Sequence, residues 1–225
     1  MRLLAPRHGA AGRFRQASLP PPETPWREAE WCAVDLELTG LSRSDEIIAI
    51  GSVPVKEGRV ILGESLYTLA RPRRPPKHAA ILVHKLRSAD LAGAPSLTEA
   101  ITLLFGALAG RVPVFHTSMV ERAFLGAEFR RRRVRLPPDA DTEVLGRLWL
   151  SRRDGVAPAG LSLARLAQLL RQPAEPPHHA LGDALTTAKA FIALASLLDA
   201  DSPATVGSLQ QATRSGTDVR RFGPG

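Results

Sequence analysis

The hydrophobic and polar positions between residues 31 and 69 follow the pattern of three strands joined by short turns. Residues 31–38 (WCAVDLEL) are apolar apart from two acids, and a Thr-Gly pair ends the segment. A second apolar segment covers residues 46–55, a polar turn covers residues 56–59, and a third apolar segment covers residues 60–69. Short connections between consecutive strands predict an antiparallel meander.

The rest of the chain has mainly the apolar period of helices. Ser96 and Glu99 form a capping box that predicts the start of a helix, whose apolar positions continue to residue 108. The pattern also predicts a short buried strand at residues 112–115, helices at residues 118–133, 141–150, 161–170 and 183–198, and a polar loop at residues 152–160. This order predicts an α/β domain whose mixed central sheet, antiparallel strands followed by parallel strands, is flanked by helices.

Both ends of the chain lack a clear period. Residues 1–28 are basic and rich in proline, with three consecutive prolines at positions 20–22. Beyond Ser202 the apolar pattern weakens, and the segment from residue 216 onward has the composition of a disordered end. We therefore expect a disordered N-terminal tail at residues 1–28, a domain at residues 29–200 and a flexible C-terminal tail at residues 201–225.

Composition narrows the class of partner. A hydrophobic content of 44% is enough to form a buried core. The formal net charge of +8, carried mostly by arginine, favours a polyanionic partner, with nucleic acid first. An arginine-rich solvated surface would produce the same charge, so the charge alone leaves both interpretations open.

The number of cysteines and the length of the apolar segments indicate where in the cell the protein is expected. Cys32 is the only cysteine, which excludes an intrachain disulfide and a cysteine-based zinc site and favours a reducing, cytoplasmic environment. No uninterrupted apolar run approaches the ~20 residues that cross a bilayer, so no membrane association is expected.

Two acidic side chains interrupt the first predicted strand. Asp35 and Glu37 are two residues apart, so strand alternation puts both on the same face. Neighbouring carboxylates in an apolar strand repel each other unless a cation lies between them, and carboxylate oxygens suit Mg²⁺ or Mn²⁺. The alternative is an exposed edge strand with a polar face. The Thr39-Gly40 turn favours the metal site, because it allows another chain segment to approach closely.

A second candidate group lies in residues 178–184 (HHALGDA). His178 follows two prolines and is predicted to lie on a loop, where its imidazole can act as a general base or remain a solvated histidine. Asp183 opens the last long predicted helix, where a carboxylate is either a metal ligand or an N-terminal cap.

The third candidate is Glu121, at the start of the helix that follows the strand at residues 112–115. A catalytic role is one interpretation. The other is structural, because Ser118 and Glu121 have the spacing of a capping box, which would account for the glutamate without any metal.

Together these segments resemble a known family. Residues 35–40 (DLELTG) match the motif Asp-x-Glu-x-Thr-Gly, and residues 178–184 with Thr187-Ala188 match His-x-Ala-x-x-Asp-Ala. Residues 83–86 (VHKL) lie where the family has a His-Gly-Ile-Thr loop, and Asp141-Thr142 match its Asp-Thr pair. In this order, over about residues 31–198, the chain resembles the DEDDh 3′–5′ exonucleases, in particular the proofreading epsilon subunit of bacterial DNA polymerase III and its stand-alone relatives.

The resemblance implies a ribonuclease-H-like exonuclease fold and hydrolysis of terminal phosphodiester bonds with two Mg²⁺ or Mn²⁺ ions. Asp35, Glu37 and Asp183 would hold the first ion, Asp35 would also reach the second, and Glu121 would support the second. His178 would take a proton from the attacking water. The substrate would be single-stranded or frayed 3′ ends of DNA, in replication proofreading or repair, and the products would be nucleoside 5′-monophosphates.

The resemblance and the charge pattern together suggest which residues contact the nucleic acid. They are Leu38, Thr39, Gly40, His84, His116, Arg73 and Arg74. Arginines at residues 130–135 could also bind the strand backbone, or could simply complement the dipole at the end of their helix.

The second motif departs from the family. Where the family has His-Asn-Ala-x-Phe-Asp, residues 116–121 read HTSMVE, so Thr117 replaces asparagine and Glu121 replaces aspartate. The loop after His84 also lacks the family's glycine. These changes leave three alternatives open: a catalytically weakened nucleic-acid-binding module on the same fold, an exoribonuclease acting on RNA 3′ ends, and a scaffold without a nucleic-acid role. The sequence contains no signal for a polymerase partner.

Overall fold

The computed structural model describes the backbone of residues 9–219 and the side chains of residues 9–214. Its strands form one six-stranded sheet: β1 (Trp31–Leu38), β2 (Ile47–Lys56), β3 (Arg59–Val60), β4 (Leu66–Leu69), β5 (Val112–Phe115) and β6 (Ala140–Asp141). The order is β3-β2-β1-β5-β6, and β4 also pairs with β2. Strands β1 to β4 pair antiparallel, whereas β5 and β6 extend the sheet in parallel. The predicted mixed sheet is confirmed.

Helices cover both faces of this sheet. The described helices are α1 (Ala10–Gln16), α2 (His78–His84), α3 (Ser88–Leu91), α4 (Leu97–Leu108), α5 (Met119–Arg131), α6 (Thr142–Asp154), α7 (Leu163–Leu169), α8 (Ala180–Asp201) and α9 (Val206–Val219). Apolar residues of α1, α4 and α5 form one core with the sheet, and those of α6 to α9 form the other. The result is a three-layer α/β domain.

Strand β1 lies in the middle of the sheet, which excludes the exposed-edge interpretation of its two acids. It pairs with β2 along its whole length and with β5 at its first three residues. Val34 and Leu36 face the core under α4 and α5, while Trp31 and Ala33 face the core under α8. Alternation therefore turns Asp35 and Glu37 toward α8, at the point where β5 no longer covers the flank of β1.

Several predicted boundaries are wrong. The single strand expected at residues 60–69 is two short strands separated by a 3-10 turn at Leu62–Glu64, where the chain leaves the sheet and the Glu64 carboxylate pairs with Arg111. Helix α6 continues to Asp154, into the expected loop, and ends where Gly155 takes a left-handed φ of 76°. Helix α8 begins at Ala180, three residues earlier than expected, because His179 caps it.

The expected N-terminal tail is wrong for residues 9–28. Phe14 of α1 lies with its ring centroid 5.2 Å from that of Phe105 and 5.6 Å from that of Phe129. Trp26 is buried, and its backbone N–H donates to the carbonyl of Ala204. A few large aromatic side chains thus attach the segment to the domain, a signal too sparse to produce a sequence period. Residues 1–8 lie outside the described part of the chain.

The expected C-terminal tail is wrong as well, up to residue 219. Val206 and Leu209 of α9 are buried against the core under α8, and the Thr213 hydroxyl accepts a hydrogen bond from the backbone N–H of Asp141. Only part of one face of α9 is apolar, so its sequence resembles a solvated segment. Residues 220–225 lie outside the described part.

Helix α8 is long and apolar enough, by length and composition, to cross a membrane. Half of its most apolar stretch is buried inside the domain, where Phe191 and Leu194 pack in the core beneath the sheet. These contacts are those of a core helix.

Candidate active site

Three carboxylates converge where β1 meets the start of α8. Asp35 and Glu37 project from β1, and Asp183 projects from the first turn of α8. One oxygen from each carboxylate lies within 4.8 Å of the others, and Glu37 is buried. Sequence analysis identified these three residues as a group, and the structure brings them together.

Gly51 allows α8 to approach the sheet at this point. It is the β2 partner of Asp35, and a Cβ atom built on it would lie 2.1 Å from the carbonyl oxygen of Ala180. Only a residue without a side chain can lie under the first turn of α8, the turn that carries Asp183. Gly51 was not among the predicted site residues, although a single glycine inside an apolar strand is a known sign of close backbone approach.

The loop before α8 places His178 at the rim of the cluster. His178 is exposed and takes a left-handed φ of 64°, a conformation that histidine adopts more readily than most residues. Its backbone N–H donates to Oδ2 of Asp183 at 2.7 Å. Asp183 is not the N-cap of α8. Its own N–H bonds to the carbonyl of His179, whose ring caps the helix, and the capping explanation for its carboxylate is therefore wrong.

Glu121 lies deeper than the three clustered acids. It is buried in the first turn of α5, and its Oε2 atom has no hydrogen-bond partner among the described residues. The expected capping box with Ser118 is absent there, since Ser118 makes no side-chain cap bond. Asp35 experiences the negative charge of Glu121, which places the two carboxylates in one electrostatic neighbourhood. Glu121 is not a member of the 4.8 Å cluster.

The acids lie close together and are shielded from water, and both effects raise their pKa values. Burial raises the pKa of Asp35 well above its ordinary value, and the charges of Glu121, Asp183 and Glu37 add to the shift. Burial, followed by the charge of Asp183, raises the pKa of Glu37 to about 7. Burial also raises the pKa of Glu121 to about 8 and raises that of Asp183. Such a concentration of perturbed acids is typical of functional sites.

This donor set fits a hard divalent cation. The carboxylates supply only oxygen ligands, which Mg²⁺ and Mn²⁺ prefer. No lysine or arginine forms an ion pair with Asp35, Glu37 or Asp183 within the described region. A cation would restore the ionised forms that burial disfavours.

Comparison with known proteins agrees with this geometry. The family described as "Exonuclease" (RNase_T) matches residues 32–191, about seven-tenths of the chain. The chain belongs to this exonuclease family. The resemblance found in the motifs is thereby confirmed.

A curated relative of this exonuclease is the DNA polymerase III subunit epsilon-like protein of Rhodobacter capsulatus. The two are 34% identical over 205 residues, which cover 89% of this chain and 28% of that protein. The chain thus spans little more than a quarter of the length of that relative.

Solved structures share the fold of this exonuclease. Exonuclease X in complex with 5′ overhanging duplex DNA has a TM-score of 0.60 at 22% identity, covering 81% of this chain and 99% of that one. The nuclease domain of 3′hExo, a DEDDh family member bound to rAMP, has a TM-score of 0.59 at 16% identity, covering 81% and 98%. Cell-death related nuclease 4 has a TM-score of 0.64 at 12% identity, covering 75% and 64%. The ribonuclease-H-like exonuclease architecture is therefore confirmed.

Two of the three departures from the family motifs fall at left-handed residues. Thr117, at the family's asparagine position, has a φ of 59°, and Lys85, at the family's glycine position, has a φ of 64°. Asparagine and glycine adopt this conformation easily, whereas a β-branched threonine does so at a cost of about 1–2 kcal/mol. Hydrogen bonds hold Thr117 there: its hydroxyl donates to Glu143 at 2.7 Å, and its N–H donates to Asp141 at 3.1 Å. At both positions the backbone thus takes a conformation that the family's asparagine and glycine adopt easily.

Asp141 fixes the start of α5 and, through it, Glu121. Its carboxylate accepts the N–H groups of Thr117 and Ser118 as well as that of Glu143 at the start of α6. In the sequence, the Asp141-Thr142 pair was recognisable only as a match to a family motif, and no role was predicted for it. Its buried position between two helix starts explains why an acid is needed there.

Two histidines expected to contact nucleic acid lie near the acids. His84 ends α2, is largely buried, and accepts the N–H of Leu86 at 3.0 Å. Burial lowers its pKa, and the proximity of His178 lowers it further. His116 is partly buried, with Nδ1 2.9 Å from the hydroxyl of Thr142, and burial lowers its pKa too. Both rings therefore favour the neutral form.

The turn after β1 is held by its own contacts. The Leu38 side chain points into the core under α4, away from the carboxylates, so only its backbone can face a ligand. The Thr39 hydroxyl donates to Asp45 at 3.1 Å, and a Cβ atom on Gly40 would lie 2.7 Å from the Asp45 carboxylate. The segment that approaches Gly40 closely is therefore part of the same turn, together with the side chain of Lys77.

Arg73 and Arg74 line a cleft of about 820 Å³ that begins beside this turn and follows α5. The cleft does not include the three clustered acids. The Arg73 side chain pairs with Glu46, whereas the side chain of Arg74 extends without an acidic partner in the described region. These arginines thus lie outside the cluster.

The raised pKa values predict that alkaline pH destabilises the metal-free protein. A carboxyl group whose folded-state pKa exceeds its unfolded value stabilises the fold only while protonated, so stability falls as pH rises through about 7 for Glu37 and about 8 for Glu121. Glu37 alone would account for roughly 2 kcal/mol between pH 5 and pH 8. Melting temperatures measured across this range in EDTA should fall, and millimolar Mg²⁺ or Mn²⁺ should reverse the fall.

Glu37→Gln is the control for this experiment. The neutral amide should flatten the pH dependence in EDTA and reduce the response to metal. A wild-type melting temperature that changes with neither pH nor added metal would contradict a preformed cation site.

Proposed function

We propose that this protein is a metal-dependent 3′–5′ exonuclease that removes nucleotides from single-stranded or frayed 3′ ends of DNA, in replication proofreading or repair. The main observation that supports this proposal is the convergence of Asp35, Glu37 and Asp183 beneath an exposed histidine, in a chain of the exonuclease family. The free, buried Cys32 is compatible with a cytoplasmic location.

The proposed roles follow from position. Asp35, Glu37 and Asp183 would hold Mg²⁺ or Mn²⁺, and Glu121, near Asp35, would support a second ion. When bound, such ions would lower the pKa of water and neutralise the charge at phosphorus. His178 is exposed at the rim, where its ring can take a proton from the attacking water. The release of a nucleoside 5′-monophosphate is the expected result.

The positive charges of a cleft suggest the path of the bound nucleic-acid strand. Five arginines line the cleft that follows α5: Arg43, Arg73, Arg74, Arg130 and Arg131. Arg73 and Arg131 already pair with Glu46 and Glu128, which leaves the other three available for phosphate oxygens. Gly40, His84 and His116 would contact the terminal nucleotides.

RNA is the second candidate substrate, because two solved relatives concern RNA. One is described as recognising the 3′ end of a histone mRNA stem-loop, and another is bound to rAMP. Choice between the sugars depends on contacts to the 2′-OH.

The weakened-module alternative rests on Glu121. Its longer side chain moves the carboxylate by about one methylene relative to the family's aspartate, and Mg²⁺ tolerates little displacement. The three intact acids and the buried, unpaired Oε2 of Glu121 favour catalysis instead. We propose no polymerase partner on the basis of these features.

Digestion of a 5′-labelled single-stranded DNA, beside an RNA of equal sequence, tests the function. We expect a ladder that shortens from the 3′ end in Mg²⁺ or Mn²⁺ and is absent in EDTA. Loss of the general base should lower the rate about 10²–10⁴-fold in His178→Ala. If neither polymer is shortened in either metal, the proposal is overturned and the binding-module alternative is favoured. Faster shortening of the RNA than of the DNA would establish the second candidate substrate.

A further inference from the structure

Tyr67 lies on the same row of the sheet as Asp35. In the ladder of paired strands, Asp35 is opposite Gly51, and Gly51 is opposite Tyr67 on β4. Burial and the charge of Glu37 raise the pKa of the Tyr67 hydroxyl, which places the ring at the edge of the carboxylate cluster. Neither the family motifs nor the sequence patterns mark this residue.

The Tyr67 ring stacks on the ring of His179. The two centroids are 4.7 Å apart and the planes are inclined by 23°, a stacked arrangement. His179 also caps α8, because its Nδ1 accepts the N–H of Gly182 at 3.3 Å and its carbonyl accepts the N–H of Asp183 at 2.9 Å. A single side chain thus joins β4 to the helix start that carries a clustered acid.

The neighbouring His178 has few anchors of its own. It is exposed and left-handed, it follows two prolines, and its one hydrogen bond within the described residues runs from its backbone N–H to Asp183. The orientation of its ring therefore depends on how firmly the next residue is held. A displacement of about 1 Å in a catalytic group can lower a rate about a hundredfold.

From this geometry we propose that Tyr67 is a positioning residue, whose ring holds His179 and thereby orients His178 and Asp183 for the reaction. The inference rests on the proposed function. Tyr67 neither contacts the substrate nor transfers a proton in this proposal. The activity therefore depends on its ring and not on its hydroxyl.

Kinetics of Tyr67 variants test the inference. Tyr67→Phe keeps the stacked ring and should retain wild-type activity, whereas Tyr67→Ala should lower kcat about 10–100-fold with little change in KM for the DNA strand. Leu66→Ala is the matched control, because it truncates the adjacent β4 residue and leaves the stack intact. An effect of Tyr67→Ala on KM alone would overturn the proposal by showing a substrate contact, and inactivity of Tyr67→Phe would overturn it by showing a role for the hydroxyl.

His179→Asn separates the stack from the cap. Asparagine can still cap the helix, but it offers no ring for Tyr67. If the stack is the functional contact, the double variant Tyr67→Ala/His179→Asn should be no slower than Tyr67→Ala alone. Strictly multiplicative losses would overturn the coupling.

Hydrogen exchange gives a readout that does not depend on nuclease activity. Amides of residues 178–184 should lose protection in Tyr67→Ala and keep it in Tyr67→Phe, while the melting temperature changes little. An inactive wild type with this exchange pattern would refute the proposed function and leave the positioning contact standing. Unchanged exchange in Tyr67→Ala would refute the contact itself.

Discussion

Replacing Asp35 with asparagine should reduce nucleotide release at least a thousandfold, a loss of about 4 kcal/mol in transition-state stabilisation. Asp35 belongs to the acid cluster and also experiences the charge of Glu121, so it is the carboxylate best placed to reach two ions. Asparagine keeps the shape but removes the charge that neutralises the cation. Because a repelling buried charge disappears, the variant should melt at a higher temperature in EDTA than the wild type.

The measurement is the rate of shortening of a 5′-labelled strand in saturating Mn²⁺. Asp154→Asn is the matched control, since Asp154 is exposed at the end of α6 and pairs only with the adjacent Arg153. This control should be fully active. An Asp35→Asn enzyme that retains a tenth of the wild-type rate would rule out a central role for Asp35 in metal-dependent hydrolysis.

A single methyl group at Gly51 should have the second-largest effect. In Gly51→Ala the new Cβ would lie 2.1 Å from the Ala180 carbonyl oxygen and 2.4 Å from the Leu181 nitrogen, both backbone atoms that cannot rotate away. The start of α8 must move off the sheet and carry Asp183 with it. We expect a loss of about 1–3 kcal/mol in unfolding free energy and of about a hundredfold in kcat.

Gly63→Ala makes a matched comparison. Gly63 lies in the 3-10 turn, and a Cβ atom there would meet nothing within 4 Å. Chemical denaturation and the strand-shortening assay should leave this control unchanged. If Gly51→Ala also kept its activity and its affinity for Mn²⁺, the close approach of α8 would not be what positions Asp183.

The sequence predicted the centre of the fold well, because local signals there agree with the tertiary structure. Strand β1 has the predicted limits, since its apolar residues alternate with two acids and a Thr-Gly turn ends it. The capping box of Ser96 and Glu99 is present in the structure. The clustered acids were recognisable because their spacing has few explanations other than a shared cation.

Features that depend on distant contacts were not predictable in the same way. Whether Glu121 caps its helix or turns toward Asp35 depends on Asp141, which holds the N–H groups at the start of α5. The stacking of Tyr67 on His179 joins two residues more than a hundred positions apart. Helices α1 and α9 escaped prediction for the same reason, as a few side chains anchor each of them to elements distant in sequence.

The contact between α9 and β6 can form only late in the biosynthesis of the chain. Thr213 bonds to the backbone of Asp141, and the Trp26 and Ala204 backbones join the first segment of the domain to the last. A chain still on the ribosome lacks these partners until residue 213 has emerged, and its central strand cannot be covered before α8 exists. Such long-range pairing makes folding slow, so we expect the proposed nuclease activity to appear only after translation has passed residue 213.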